Sequence, residues 1–308
     1  MSFTSEEIEI FARTVMESRR IKGKAVVLCE GHISTIKENI RQSPTMYRKL
    51  EQMPDANFYK ACLPKNMRDS QFFNCGDRIA VLRVFAKLHE LNQENTNSYL
   101  ETKNLFALID LDLQIATINN YRFSNTEEIF EDLYEQLKIK HENLENHVIF
   151  TTGLIYKEAY FLLPELQELF NNYKNPIFFM GKRLNLENLY ICIIKELKSD
   201  ENLKSHFDLA QKRLSFSNLD INSISNLKMS FLNEINRGNN DHIVKLLFLV
   251  TQIKDYWEMF YTTDILLEKQ FREQLSLEIA RFYSEKDDDS FHLTAIFKSI
   301  HNRTHKLR

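Results

Sequence analysis

Four short, mostly apolar runs alternate with stretches of helical period, and this alternation constrains the fold more than any other feature of the chain. The runs are Ala25-Val26-Val27-Leu28-Cys29, Gln71-Phe72-Phe73-Asn74-Cys75, Leu105-Phe106-Ala107-Leu108-Ile109 and His147-Val148-Ile149-Phe150-Thr151-Thr152. A strand that is apolar at consecutive positions has both faces buried. Between the runs, apolar residues recur three and four apart over 34–52, 77–93 and 126–140, which predicts helices. Strand and helix in turn imply right-handed crossovers and a mainly parallel sheet flanked by helices, an α/β fold. Only 6 Gly and 5 Pro occur among 308 residues, too few for the tight turns of a sandwich or propeller.

Residues 1–22 read as an N-terminal helix and 23–175 as the α/β domain. Residues 176–308 read as a helical C-terminal domain for dimerisation or partner docking, with helical pattern over 186–198, 221–236, 240–261, 264–284 and 290–301. A further helical stretch is expected at 157–172. Pro176-Ile177-Phe178-Phe179-Met180 fits either a fifth strand or the lead-in to a helix, and Asn236-Arg237-Gly238-Asn239-Asn240 marks an interhelical break. The aromatic stretch Tyr256-Trp257-Glu258-Met259-Phe260-Tyr261 fits an interface or a core helix equally.

The net charge of -3 argues against a general DNA coat, but a nucleic-acid enzyme needs basic residues along one groove only. Residues 101–175 carry 13 acidic side chains against 6 basic ones. Four cysteines without a CxxC pair imply reduced thiols and a cytoplasmic protein. The acidic N-terminus lacks the build of a signal peptide, and no apolar run approaches membrane-spanning length. No zinc-deaminase, Walker or GxSxG pattern is present.

In an open parallel sheet, ligands bind beyond the carboxyl ends of the strands. There the first run ends in Glu30-Gly31 and the third in Asp110-Leu111-Asp112, while Glu158 follows the fourth. Asp110 and Asp112, two apart, point the same way if the chain is extended. Carboxylates about 5 Å apart repel by roughly 3 kcal/mol per pair at an effective dielectric of 20. Protons or cations must neutralise them, and an oxygen-only donor set selects a hard ion, Mg²⁺ or Mn²⁺. A metal so held polarises a phosphate and activates a water, the requirement of phosphodiester hydrolysis. Lys60, Lys65, Arg68 and Lys157 are candidates to contact a nucleic-acid backbone.

AVVLCEG (25–31) followed by FALIDLD (106–112) resembles the TOPRIM domain shared by topoisomerases, primases and OLD-family nucleases. HVIFTTGLIYKEAYFLLPEL (147–166) and Asp55-Ala56-Asn57-Phe58-Tyr59-Lys60 resemble a subgroup that includes the TOPRIM effectors of PARIS anti-phage defence. The resemblance covers about 25–166. It implies a metal-dependent nuclease in which Glu30 is general base or metal ligand, Asp110 and Asp112 hold one or two Mg²⁺, and Glu158 completes the shell. It further implies a toxin-like anti-phage effector, a homodimer regulated by an ABC-type ATPase partner, and a tRNA or DNA substrate. Family nucleases commonly carry an acidic residue shortly after Glu-Gly. Here His32-Ile33-Ser34-Thr35 follow, and Asp55 is either that residue displaced or a surface aspartate. The alternative is a catalytically inactive TOPRIM-like module that binds nucleic acid or protein.

Overall fold

The computed structural model describes residues 3–33, 44–67, 69–94, 97–197, 209, 212–214, 219–220, 223–235 and 241–305. Arg68, the first part of the expected 34–52 helix and the Asn236–Asn240 break lie outside these residues.

The chain opens with α1 (Ser5–Met16), whose start is fixed by a capping box. The Thr4 hydroxyl accepts the Glu7 amide at 3.2 Å, and the Glu7 carboxylate accepts the Thr4 amide at 2.6 Å. The central sheet holds β1 (Ala25–Cys29), β2 (Ser70–Asn74), β3 (Leu105–Ile109) and β6 (Ile149–Thr151) in the spatial order β2-β1-β3-β6, all parallel. Val27 pairs with Phe72 on one side and Phe106 on the other. Every residue of these strands is buried, as continuous apolar runs require. The helices between them are α2 (Pro44–Glu51), α3 (Pro54–Ala61), α4 (Arg78–Glu94) and α5 (Thr126–Leu133). The parallel α/β fold expected from the alternation is thus present.

The helix expected over 126–140 ends at Leu133. Gln136 and Leu137 take φ of 51° and 61° and turn the chain into a hairpin of β4 (Tyr134–Glu135) and β5 (Lys138–Ile139). Two positive-φ residues are the geometry of a type I′ turn, which normally advertises itself by Asn or Gly. The expected 157–172 helix is instead a 3-10 helix over Lys157–Leu162, a short second one at Pro164–Leu166, and α6 (Gln167–Asn172). Leu163 is extended (ψ 145°) because Pro164 follows it.

Ile177–Phe179 is a strand, β7, but not of the main sheet. It pairs antiparallel with β8 (Lys182–Arg183) and β9 (Tyr261–Thr262) in a small separate sheet. The C-terminal part contributes α7 (Leu186–Glu196), α8 (Ile224–Ile235), α9 (Asp241–Leu249), α10 (Ile253–Glu258), α11 (Ile265–Ser284) and α12 (His292–His305). Its helical character matches the expectation, although 240–261 is two helices and a strand. Tyr256, Trp257 and Phe260 of the aromatic stretch are buried, and only Met259 is an exposed large apolar side chain there.

The hydrophobic core runs without interruption from Phe3 to Ile300. Phe297 of α12 packs edge-on against Phe72 of β2 at 5.5 Å, and the Arg303 guanidinium lies over the Phe106 ring of β3. Tyr47 of α2 packs on Phe73, the neighbouring residue of β2, which points to the opposite face of the sheet.

Candidate functional site

At the carboxyl ends of the central strands lies a cleft of about 300 Å³ lined by Glu30, Asp55, Asp77, Asp110, Lys157, Glu158 and Lys254, among others. Its floor is a relay of hydrogen bonds that follows the strand order β1-β3-β6. Glu30, directly after β1, accepts the Asp110 amide at 2.8 Å. Asp110, directly after β3, accepts the Lys157 amide at 3.2 Å. Lys157 begins the 3-10 helix after β6, so Glu158 stands beside the same two carboxylates. Three of the four carboxylates expected at the strand ends therefore share one cleft.

The fourth does not. Asp112 takes φ of 54°, so Asp110 and Asp112 do not alternate as in an extended chain. The Asp112 carboxylate caps its neighbour's amide (Leu113, 2.6 Å) and lies 3.7 Å from Arg78. Its carbonyl accepts from Arg213 at 3.0 Å, while Arg213 forms a buried bidentate ion pair with Glu127. These partners hold Asp112 outside the cleft lining.

Asp55, at the first turn of α3, is brought in from the long connection between β1 and β2. Its carboxylate pairs with the Lys157 ammonium and accepts from Asn74 Nδ2 at 3.2 Å and the His32 amide at 3.3 Å. Asn74, the last residue of β2, in turn accepts the Ala56 amide at 2.8 Å. Gly31 and Gly76 exchange backbone hydrogen bonds at 2.9 and 3.1 Å beside this group. A Cβ on Gly31 would come within 2.5 Å of the Asp55 carboxylate, so the Glu-Gly step lets the backbone pass under Asn74 and Asp55.

The charges are not at rest. Burial raises the Glu30 carboxyl to about 7, against the opposing pull of the Asp110 amide and of Arg78. Asp110 is held well above the ordinary aspartate range by burial and then by the negative charges of Glu30 and Glu158. Two adjacent enclosed carboxyls cannot both ionise cheaply, so each holds its proton more tightly than a free carboxyl does. Burial lowers the Lys157 ammonium, although Glu158 opposes it. For Lys254, burial acts downward, but the attraction of Glu158, Asp110 and Glu30 outweighs it and the ammonium is raised.

Lys60 and Lys65 are exposed and do not line the cleft. Lys157, by contrast, is largely buried, its side chain 13% exposed. Sequence reasoning missed Lys254 and Asn74. No local pattern marks Lys254, which reaches the cleft only because α10 packs on the 3-10 helix.

Among the described residues, no group of three or more His, Cys, Asp or Glu side chains is close enough to hold a metal ion. The donor chemistry nevertheless fits a hard cation. Glu30, Asp110 and Glu158 offer only oxygen, and the buried Glu158 Oε2 accepts no hydrogen bond. Among the described residues, no helix is long and apolar enough to cross a membrane. A scan against protein-family models, a search of curated proteins and a search of solved structures each return no match for this chain.

Proposed function

We propose that the cleft is the active site of a divalent-metal-dependent nuclease of TOPRIM type. The observation that carries the proposal is the meeting of Glu30, Asp110 and Glu158 at adjacent strand ends with two lysines beside them. Glu30 and Asp110, with Glu158, would hold Mg²⁺ or Mn²⁺, which supplies Lewis-acid polarisation of the phosphate and a more acidic water. Glu30 would serve either as one of these ligands or, left off the metal, as the base that takes a proton from the attacking water. Lys157 balances the carboxylates from within, tethered by Asp55. Asp112 positions the loop through its ties to Arg78 and Arg213 rather than completing a ligand set. The homodimer, the ABC-type ATPase partner, the anti-phage role and the choice of tRNA over DNA rest on the sequence resemblance alone.

The test is cleavage of supercoiled plasmid and of bulk tRNA with Mg²⁺ or Mn²⁺. We expect Glu30→Gln and Asp110→Asn to lose about 100-fold or more in rate. Full activity of Glu30→Gln removes it from the mechanism, and cleavage that survives exhaustive EDTA treatment overturns the metal assignment. A second reading, a TOPRIM-like binding module without chemistry, is favoured by one observation: lysines already face both Asp55 and Glu158. Nucleic-acid binding by the wild type without any cleavage selects it.

A further inference from the structure

Among the described residues, Lys254 is the side chain that the helical C-terminal part places in the cleft, and the packing beneath it explains how. Trp257 of α10 meets Phe161 of the 3-10 helix edge-on, ring centroids 4.7 Å apart. Three residues earlier in each element, Lys254 Nζ faces Glu158 Oε2 at 3.9 Å. Residues i and i+3 eclipse in a 3-10 helix and share a face in an α-helix. The aromatic pair therefore sets the position of the charged pair. The Tyr156 ring lies 4.4 Å from the ammonium and supports it from a second side.

The two lysines of the cleft differ in what remains open to them. Lys157 is tethered to Asp55 and its side chain is 13% exposed, so it serves as an internal counterion. Lys254 is 49% exposed, and its 3.9 Å approach to Glu158 is an ion pair without a hydrogen bond. Five carboxyl groups line the cleft, and Lys157 is engaged by Asp55. Beside a bound metal, Lys254 is the more exposed of the two lysines and the one placed to meet an incoming phosphate.

We propose that Lys254 docks a backbone phosphate of the nucleic acid at the mouth of the cleft. The inference deepens the nuclease reading and rests on it, although docking by itself needs no turnover. It is tested by fluorescence anisotropy with labelled bulk tRNA and a labelled 20-base-pair DNA, in calcium buffer over a salt series. Lys254→Met, which keeps an unbranched apolar chain of similar length, should weaken binding about 10-fold. The slope of log Kobs against log[NaCl] should fall by about 0.7 to 0.9, the loss of one phosphate contact. Lys254→Arg should restore both, and Lys254→Gln serves if the Met variant is unstable. The two nucleic acids separate a preference for RNA from one for DNA, since both carry the phosphate. An unchanged slope in the folded Met or Gln variant overturns the proposal, as does an Arg variant no better than Met. Normal binding with no cleavage defeats the nuclease reading and leaves Lys254 standing, whereas no binding by the wild type sinks both.

Discussion

Glu30 carries a cost in the folded protein that shows in stability as well as in rate. Its carboxyl rises from 4.5 to about 7 on folding, through burial. A carboxyl with a raised folded-state value favours the folded state while protonated. That stabilisation is complete below 4.5 and is lost as pH climbs through 7. The difference corresponds to something on the order of 3 kcal/mol. We expect Glu30→Gln to be more stable than the wild type at pH 8 and nearly equal to it at pH 4, measured by urea denaturation. Parallel stability curves across that range would remove the buried-charge account. Gly31→Ala should act oppositely. Its methyl meets Asn74 and Asp55, which should destabilise by about 1–3 kcal/mol and impair cleavage together, read from thermal midpoint and rate. An unchanged midpoint would mean that the Asn74–Asp55 group yields freely.

Two contacts between elements shape the cleft without lying on its floor. Trp257→Ala removes one of the two rings packed edge-on against Phe161 and should cost about 3–5 kcal/mol. It should also weaken nucleic-acid binding, because Lys254 rides on the same helix. Arg213→Met leaves Glu127 buried without its partner and should cost about 3–5 kcal/mol, a loss that urea denaturation would detect. A Met variant within about 0.5 kcal/mol of the wild type would show that Glu127 finds another partner. At this scale the sequence was most legible where burial is continuous: β1 and β3 fall where their apolar runs do. It was least legible where a conformation lacks its usual residue. Gln136 and Leu137 form a positive-φ turn without Gly or Asn, and Asp112, although aspartate tolerates a positive φ, carries no neighbouring Gly or Pro to mark the turn. Periodicity likewise cannot separate a 3-10 helix from an α-helix over six residues, and so 157–162 read as ordinary helix.

On the scale of the whole molecule, the sheet and the helical part share one core. Phe297 sits on Phe72, Arg303 covers Phe106 and donates to the His147 carbonyl, and α11 packs against α3. We therefore expect residues 1–175, expressed alone, to give no cooperative thermal transition. A soluble fragment with a sharp transition would show that the sheet is complete without α12. The same sharing explains why the site was only partly readable. Glu30, Asp110 and Glu158 follow from one rule about strand ends, whereas Lys254 depends on how distant elements dock. That docking also sets a clock. β1 leaves the ribosome early, yet the helix that covers it ends at His305, some tens of seconds later at roughly 5–20 residues per second. Until then the sheet lacks Phe297 on Phe72 and Arg303 over Phe106, and its core is incomplete. If the cleft cuts nucleic acid, a nascent chain is harmless to the transcripts and tRNA around it while it is being made.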